Sequence, residues 1–309
     1  MAPAEDDISI EEKRVYAGTA GRTDAYVATG SGVVRVALSA DKVGAFDMVA
    51  RESARDVAVL PRDRGADLVG FATVEGLRVG RVGGDELDFD RVTSDSVVAV
   101  GVHDDAFLVA GEEGGIDRIA VDDVGSDPET TRVGSVSEPR AIDGPLVAAA
   151  DGVYRVAEGD GAAATDASAA RALTAVGLDD ARDIAGAGMP LAATASGLYW
   201  LGNGWMTALE GVAEAVAADG DGHAMTVVEG ELLVHAADAS ASGTDAWDDE
   251  TWRPADLPVD EETVALGYGP GISVAVTAAG TLCVDAGDGW RHQVVGVRDV
   301  EGVALAVVE

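Results

Sequence analysis

Apolar residues run along this chain in short alternating bursts separated by glycine-bearing turns, and seven stretches share one shape. They are DAYVATGSGVVRV (24–36), DLVGFATVEGLRV (67–79), AFLVAGEEGGIDRI (106–119), PLVAAADGVYRV (145–156), PLAATASGLYWL (190–201), AMTVVEGELLV (224–234) and ISVAVTAAGTLCV (272–284). Each holds an apolar run, a small or polar turn, and a second run of period two. That is the pattern of a β-hairpin with buried faces, and its turn glycine supplies the positive φ that tight loops require. The turn glycines Gly32, Gly76, Gly115, Gly152, Gly197, Gly230 and Gly280 are spaced 44, 39, 37, 45, 33 and 50 residues apart, about 41 on average. This is the spacing of four-stranded propeller blades.

A short apolar strand precedes most hairpins: DVAVL (56–60), SVVAVGV (96–102), RAIDG (140–144), RDIAGAG (182–188), EAVAADG (214–220) and TVALGYG (263–269). Outer strands are expected at FDRV (89–92), WMTAL (205–209) and WRHQVV (290–295). The first hairpin lacks such a partner, and the chain ends on GVALAVVE (302–309), an inner-strand pattern without a hairpin. Joining the two completes a seventh blade and leaves no open sheet at the ends of the array. The expectation is an all-β, seven-bladed propeller over residues 1–309, with 1–14 a flexible segment. Alanine content pulls 157–176 and 206–218 towards helix by local propensity; repeat register overrides it, with an inserted helix at 166–175. Residues 236–256 read as a polar excursion between third and fourth strands.

Two stretches carry no formal charge, 184–209 and 263–284. Both are long enough to cross a bilayer. Their glycines and prolines are spaced like turns between short apolar runs, and no Lys/Arg-rich flank orients them, so the expectation is strands and no membrane.

Charge changes the picture of the host. Asp and Glu total 56 against 21 Lys and Arg, a formal charge of −35, and 47% of residues are hydrophobic. The apolar content argues against a disordered acidic chain, leaving adaptation to extreme salt. At 1 M salt the Debye length is about 3 Å, so surface carboxylates scarcely repel one another. The same balance argues against nucleic acid, which wants a basic patch. Cys283 is the sole cysteine, which suits a reducing compartment, and MAPAEDDISIEEKR has no secretory pattern. A cytoplasmic location is expected.

The Gly-Trp turns Asn203-Gly204-Trp205 and Asp288-Gly289-Trp290, with Trp252 in a comparable place, make the hairpins resemble those of sialidase-like or BNR-type propellers. The full Ser-x-Asp-x-Gly-x-Thr-Trp box is nowhere intact. The whole-chain repeat and the composition resemble an uncharacterised haloarchaeal β-propeller family. That resemblance implies a fold and a host, and no catalytic residues are carried over from it.

Candidate chemistry is sparse. His103, His223, His235 and His292 have no metal-ligand spacing and read as turn or surface residues, and no cofactor is expected. Arg-Asp recurs at the inner strands as Arg55-Asp56, Arg182-Asp183 and Arg298-Asp299, with Arg140 in a similar place. These are either an Arg-rich ring at a channel mouth or a repeated blade-to-blade ion pair. Trp247 and Trp252, in the polar excursion, are candidates for an exposed contact patch. The leading expectation is a non-enzymatic platform with a protein partner. Its rival is a hydrolase or lyase on a small anionic or sugar-like ligand, clamped by Arg55, Arg182 and Arg298.

Overall fold

The computed structural model describes residues 22–84, 87–157, 173–235 and 247–308. Their strands form seven antiparallel four-stranded sheets. Blade 1 is made from both ends of the chain: Val300–Val308 is its inner strand, followed outward by Arg22–Thr29, Gly32–Ser39 and Lys42–Ala50. The inner strands of blades 2 to 7 are Asp56–Leu60, Val97–His103, Pro139–Asp143, Ala181–Ala185, Ala213–Ala218 and Thr263–Gly269. Each blade then continues outward in chain order. Consecutive inner strands pack against one another all the way round, Thr263–Gly269 against Val300–Val308 and that strand against Asp56–Leu60. The ring is closed, as expected from the unmatched ends.

The buried apolar side chains fall into seven clusters, one in each seam between neighbouring blades. Strand alternation explains this division. Along Ala106–Gly111, Phe107 and Val109 enter the seam with blade 2, while Leu108 and Ala110 enter the seam with blade 4. Successive side chains point to opposite faces of a sheet, and here both faces are covered. The middle strands therefore read as unbroken apolar runs rather than as apolar-polar alternation. Gly70 fits this packing by omission: a Cβ there would lie 2.8 Å from the Phe107 ring.

The hairpin glycines do more than turn the chain. Gly76 has φ +125°, and a Cβ on it would sit 2.1 Å from the Thr93 carbonyl oxygen. At Gly115 and Gly197 no left-handed φ is used; in that hairpin of blade 3 the positive φ falls on Gly114, at +88°. Gly197 is held to glycine by space, since its Cβ would meet the Leu209 carbonyl at 2.4 Å. Close approach of neighbouring backbone thus holds six of the seven hairpin turns to glycine, at Gly32, Gly76, Gly114, Gly152, Gly197 and Gly280, while Gly230 has open space around it.

The run 206–218 is strand, in Trp205–Glu210 and Ala213–Ala218, so sheet pairing overrides alanine propensity. Of the helix expected at 166–175, residues 166–172 lie outside the described residues, and 173–175 belong to the strand Leu173–Gly177. Residues 1–14 also lie outside them. The excursion is shorter than expected on its described side: Trp252–Pro254 already pairs with Glu231–His235 as the fourth strand of blade 6. The uncharged stretches are strands of blades 5 and 7, and among the described residues no helix is long and apolar enough to cross a membrane.

Candidate functional site

The seven inner strands surround a channel of about 460 Å³. One irregularity repeats around its mouth. In six inner strands the ladder to the second strand skips one residue near the start: Val98, Arg140, Arg182, Glu214, Val264 and Glu301. Each is the extra residue of a β-bulge, which escapes pairing and has its side chain re-aimed. Arg55 holds the corresponding place in blade 2, its N–H donating to the Ala72 carbonyl at 2.8 Å. The result is a ring of seven positions, of which Arg55, Arg140, Arg182, Glu214, Val264 and Glu301 line the channel.

The ring divides by charge. Blades 2, 4 and 5 contribute arginine; blades 6 and 1 contribute glutamate. Arg55 leans sideways to blade 3, donating to the Ser96 hydroxyl at 3.1 Å with Glu112 at 3.7 Å. Arg140 leans to blade 5, where it pairs with Asp180 and donates to the Ala181 carbonyl at 3.2 Å. Arg182 makes no hydrogen bond or ion pair among the described residues. It is still close enough to help Arg140 hold the Asp180 carboxyl below its usual range. Glu214 accepts from the Gly230 N–H at 3.3 Å. Glu301 is pushed up by desolvation and by Asp299, with Arg55 opposing.

Beneath this layer lies a second one, of carboxylates. Asp56 accepts from the Val57 N–H and, across the seam, from the Val100 N–H of blade 3, each at 2.8 Å. Asp183 does the same with Ile184 at 2.9 Å and Val216 of blade 6 at 2.8 Å. Asp143 accepts from Gly186 of blade 5 at 2.6 Å. These are carboxylate staples between inner strands. Desolvation pushes Asp56 up to about 7 and Asp183 to about 6, and raises Asp143 as well. Backbone donors pull each the other way, while Asp183 and Glu301 add repulsion at Asp56.

The Arg-Asp recurrence shows parts of both expected arrangements: arginines of three blades stand at the mouth, and Arg140 pairs with Asp180 of the next blade. In Arg55-Asp56 and Arg182-Asp183 the acid stitches backbone to backbone, and the arginine is left to the mouth. Arg298 does not join the ring. The closing strand starts at Val300 with its bulge at Glu301, so Arg298 and Asp299 sit in the preceding connection, where the Asp299 carbonyl accepts from the Gly30 N–H at 2.8 Å. Arg140 takes the place expected of Arg298, although the bulge position gives no signal in the sequence beyond the bare arginine.

Trp247 and Trp252 are buried, at 6% and 7% exposure, so the exposed patch expected of them does not form. They close the seam between blades 5 and 6 around His235, whose ring stacks on Trp247 at 4.1 Å. His235 is consequently a core residue, not a surface one. His223 is bonded to Asp219 at 2.6 Å, and His292 is exposed on an outer strand. Among the described residues no three His, Cys, Asp or Glu side chains cluster as a metal site. Cys283 is buried and its thiol is pushed up to about 11.

A motif missed in the sequence marks the same face. Thr29, Thr73 and Thr194, all fully buried, donate from their hydroxyls to the carbonyls of Gly32, Gly76 and Gly197 at 2.8, 2.8 and 2.9 Å. The signal was legible as Thr-x-x-Gly at three hairpins, and Thr277 with Gly280 repeats the spacing in a fourth.

Comparison with known proteins places this geometry. No curated protein matches the sequence. Among solved structures, a functionally unknown protein from Desulfotomaculum acetoxidans DSM 771 superposes with a TM-score of 0.64 at 9% identity, over 93% of this chain and 99% of that one. YCF48, solved bound to D1 peptide, gives 0.57 at 14% identity over 93% and 97%. The WD40 beta propeller domain of Doa1 gives 0.55 at 14% identity over 81% and 86%. These likenesses concern the fold alone. The sequence pattern of one family, described as HVO_0234-like beta propeller, matches residues 9–306. The chain therefore belongs to the HVO_0234-like beta-propeller family.

Proposed function

We propose that this propeller is a non-enzymatic protein-interaction platform in the cytoplasm of an extreme halophile, with the bulge-ring face as its contact surface. The observation that carries the reading is the sideways bonding of Arg55 and Arg140 to the next blade. Catalytic clamps on a small anion would converge on the channel axis, whereas these guanidinium groups brace the rim and leave a fixed, wide face. A propeller of similar fold, YCF48, was solved with a bound D1 peptide. The formal charge of −35 supports the salt-adapted host. In multimolar salt, long-range steering is screened, so recognition rests on well-packed contacts over a rigid surface.

The contact face lies at the mouth and not at Trp247 and Trp252, because those indoles are spent in the seam between blades 5 and 6. The test is affinity capture of the tagged protein from a haloarchaeal lysate at multimolar KCl, beside a variant carrying Val98→Asp and Val264→Asp in the bulge ring. A stoichiometric partner kept by the parent and lost by the variant is expected. A partner held equally by both would move the contact elsewhere, and a parent that captures nothing would overturn the platform.

A further inference from the structure

The two layers at the channel mouth carry chemistry that a flat docking face does not need. The upper layer has an arginine, Arg182, that lines the channel without any hydrogen bond or ion pair among the described residues. Arg140 stands beside it, sharing Asp180. Arg55 completes the arginine side of the ring. The lower layer, one residue further along the same strands, holds Asp56 and Asp183, with Asp143 deeper, three residues past Arg140 at the end of its strand. Each of these carboxylates accepts backbone N–H groups and is also among the residues that line the channel. The volume, about 460 Å³, is that of a small-ligand cavity.

A guanidinium is a planar fork matched to a carboxylate, and an unpaired one at a channel mouth is a ready partner for that group. Above about pH 7, where Asp56 and Asp183 have released their protons, a bare anion entering further would meet the Asp layer and be repelled. A bare cation reaching that layer would first pass the arginines. The arrangement favours a molecule with both charges, its carboxylate at the rim and its ammonium facing down. We infer that the mouth is a binding subsite for a small zwitterion of the amino-acid class, with Arg182 as carboxylate anchor, Arg140 as its flank, and the Asp layer receiving the ammonium end.

This site shares the ring with the proposed partner face and is read separately from it, through Arg182 rather than through Val98 and Val264. It asks for binding only; no bond is made or broken. The test is calorimetric titration of the full chain in multimolar KCl with glycine and 6-aminohexanoate, a short and a long zwitterion. Acetate and methylammonium are titrated separately as the two halves. At least one zwitterion should bind, and neither half should approach its affinity. Arg182→Gln should weaken that binding about tenfold or more, equivalent to about 1.4 kcal/mol. It should shift the melting temperature little, since the Arg182 side chain makes no hydrogen bond or ion pair among the described residues and acts on Asp180 only through space. Arg182→Lys keeps the charge without the fork and should recover only part of the affinity, which preserves the test if the glutamine variant misfolds. Failure of both zwitterions to bind, acetate binding as tightly as they do, or Arg182→Gln binding like the parent would each overturn the assignment. The capture experiment with the Val98 and Val264 variant reads the partner face separately, so either idea can fail alone.

Discussion

A single Cβ decides whether a hairpin closes, because two constraints act on the turn glycines. Gly76 combines φ +125° with a Cβ position 2.1 Å from the Thr93 carbonyl oxygen, whereas Gly230 has φ +76° and open space around it. Gly76→Ala should cost about 2–4 kcal/mol, strain plus displacement of the outgoing backbone, and Gly230→Ala about 1 kcal/mol, conformational strain alone. Denaturant midpoints of the two variants check the contrast; equal losses would remove the close-approach account. The staple carboxylates make a second prediction at this scale. Asp56 stands at about 7 in the fold against an ordinary 3.8. The folded state therefore holds its proton where the unfolded chain has released it, and the resulting stabilisation is complete in acid and lost as pH rises through about 7. Asp183, at about 6, acts with the same sign over a lower window. Relative to the parent, Asp56→Asn should be at its greatest disadvantage at about pH 4 and below, the gap narrowing as pH rises to about 7. Melting curves across that range, in constant high salt, report it; a gap that widens with pH would reverse the sign.

At the scale of elements, the blade is not a folding unit by itself, since every apolar cluster is shared between two blades. Phe107, fully buried between blades 2 and 3 and facing Gly70, is the clearest case. Phe107→Ala should cost about 3–5 kcal/mol, transfer plus cavity. Trp247→Ala falls in the same class: it should lower stability by several kcal/mol through the seam of blades 5 and 6, where an exposed indole would have cost almost nothing. Thermal melts distinguish these outcomes. The bulges belong to this scale too. A bulge lifts one residue out of pairing near the start of six inner strands, and that displacement, repeated around the ring, brings Arg140, Arg182, Glu214, Val264 and Glu301, with Arg55, to line the channel.

For the whole molecule, closure and charge govern behaviour. Val300–Val308 is the inner strand of blade 1 and also packs on its neighbours in blades 7 and 2. Removing 300–309 should expose the edge of Arg22–Thr29, abolish cooperative unfolding and promote association. Calorimetry and light scattering test this; a monomer with an unchanged melt would contradict it. A net charge of −35 on one chain should make the fold depend on screening. Lowering KCl from multimolar to about 0.1 M lengthens the Debye length to about 10 Å, and self-repulsion should then lower the melting temperature by about ten degrees or more. A melt indifferent to salt would remove the halophile reading.

The sequence by itself determined the repeat, the number of blades and the closure of the ring. Those follow from local quantities: period-two apolar runs, turn glycines at blade spacing, and an inner-strand pattern stranded at the C-terminus. It also held, unread, the Thr-x-x-Gly signature of the hairpins. Only the tertiary structure decided what the side chains at the channel do. Whether Arg140 or Arg298 reaches the mouth depends on where a bulge falls in a ladder, and a one-residue shift in pairing leaves no mark on composition or period. Whether Trp247 and Trp252 are exposed depends on His235 and a neighbouring blade 5 that lie apart from them in sequence. Local pattern fixes the strands, because strand formation is driven by alternation within a few residues. The site is fixed by register between strands, and register is a property of the assembled ring.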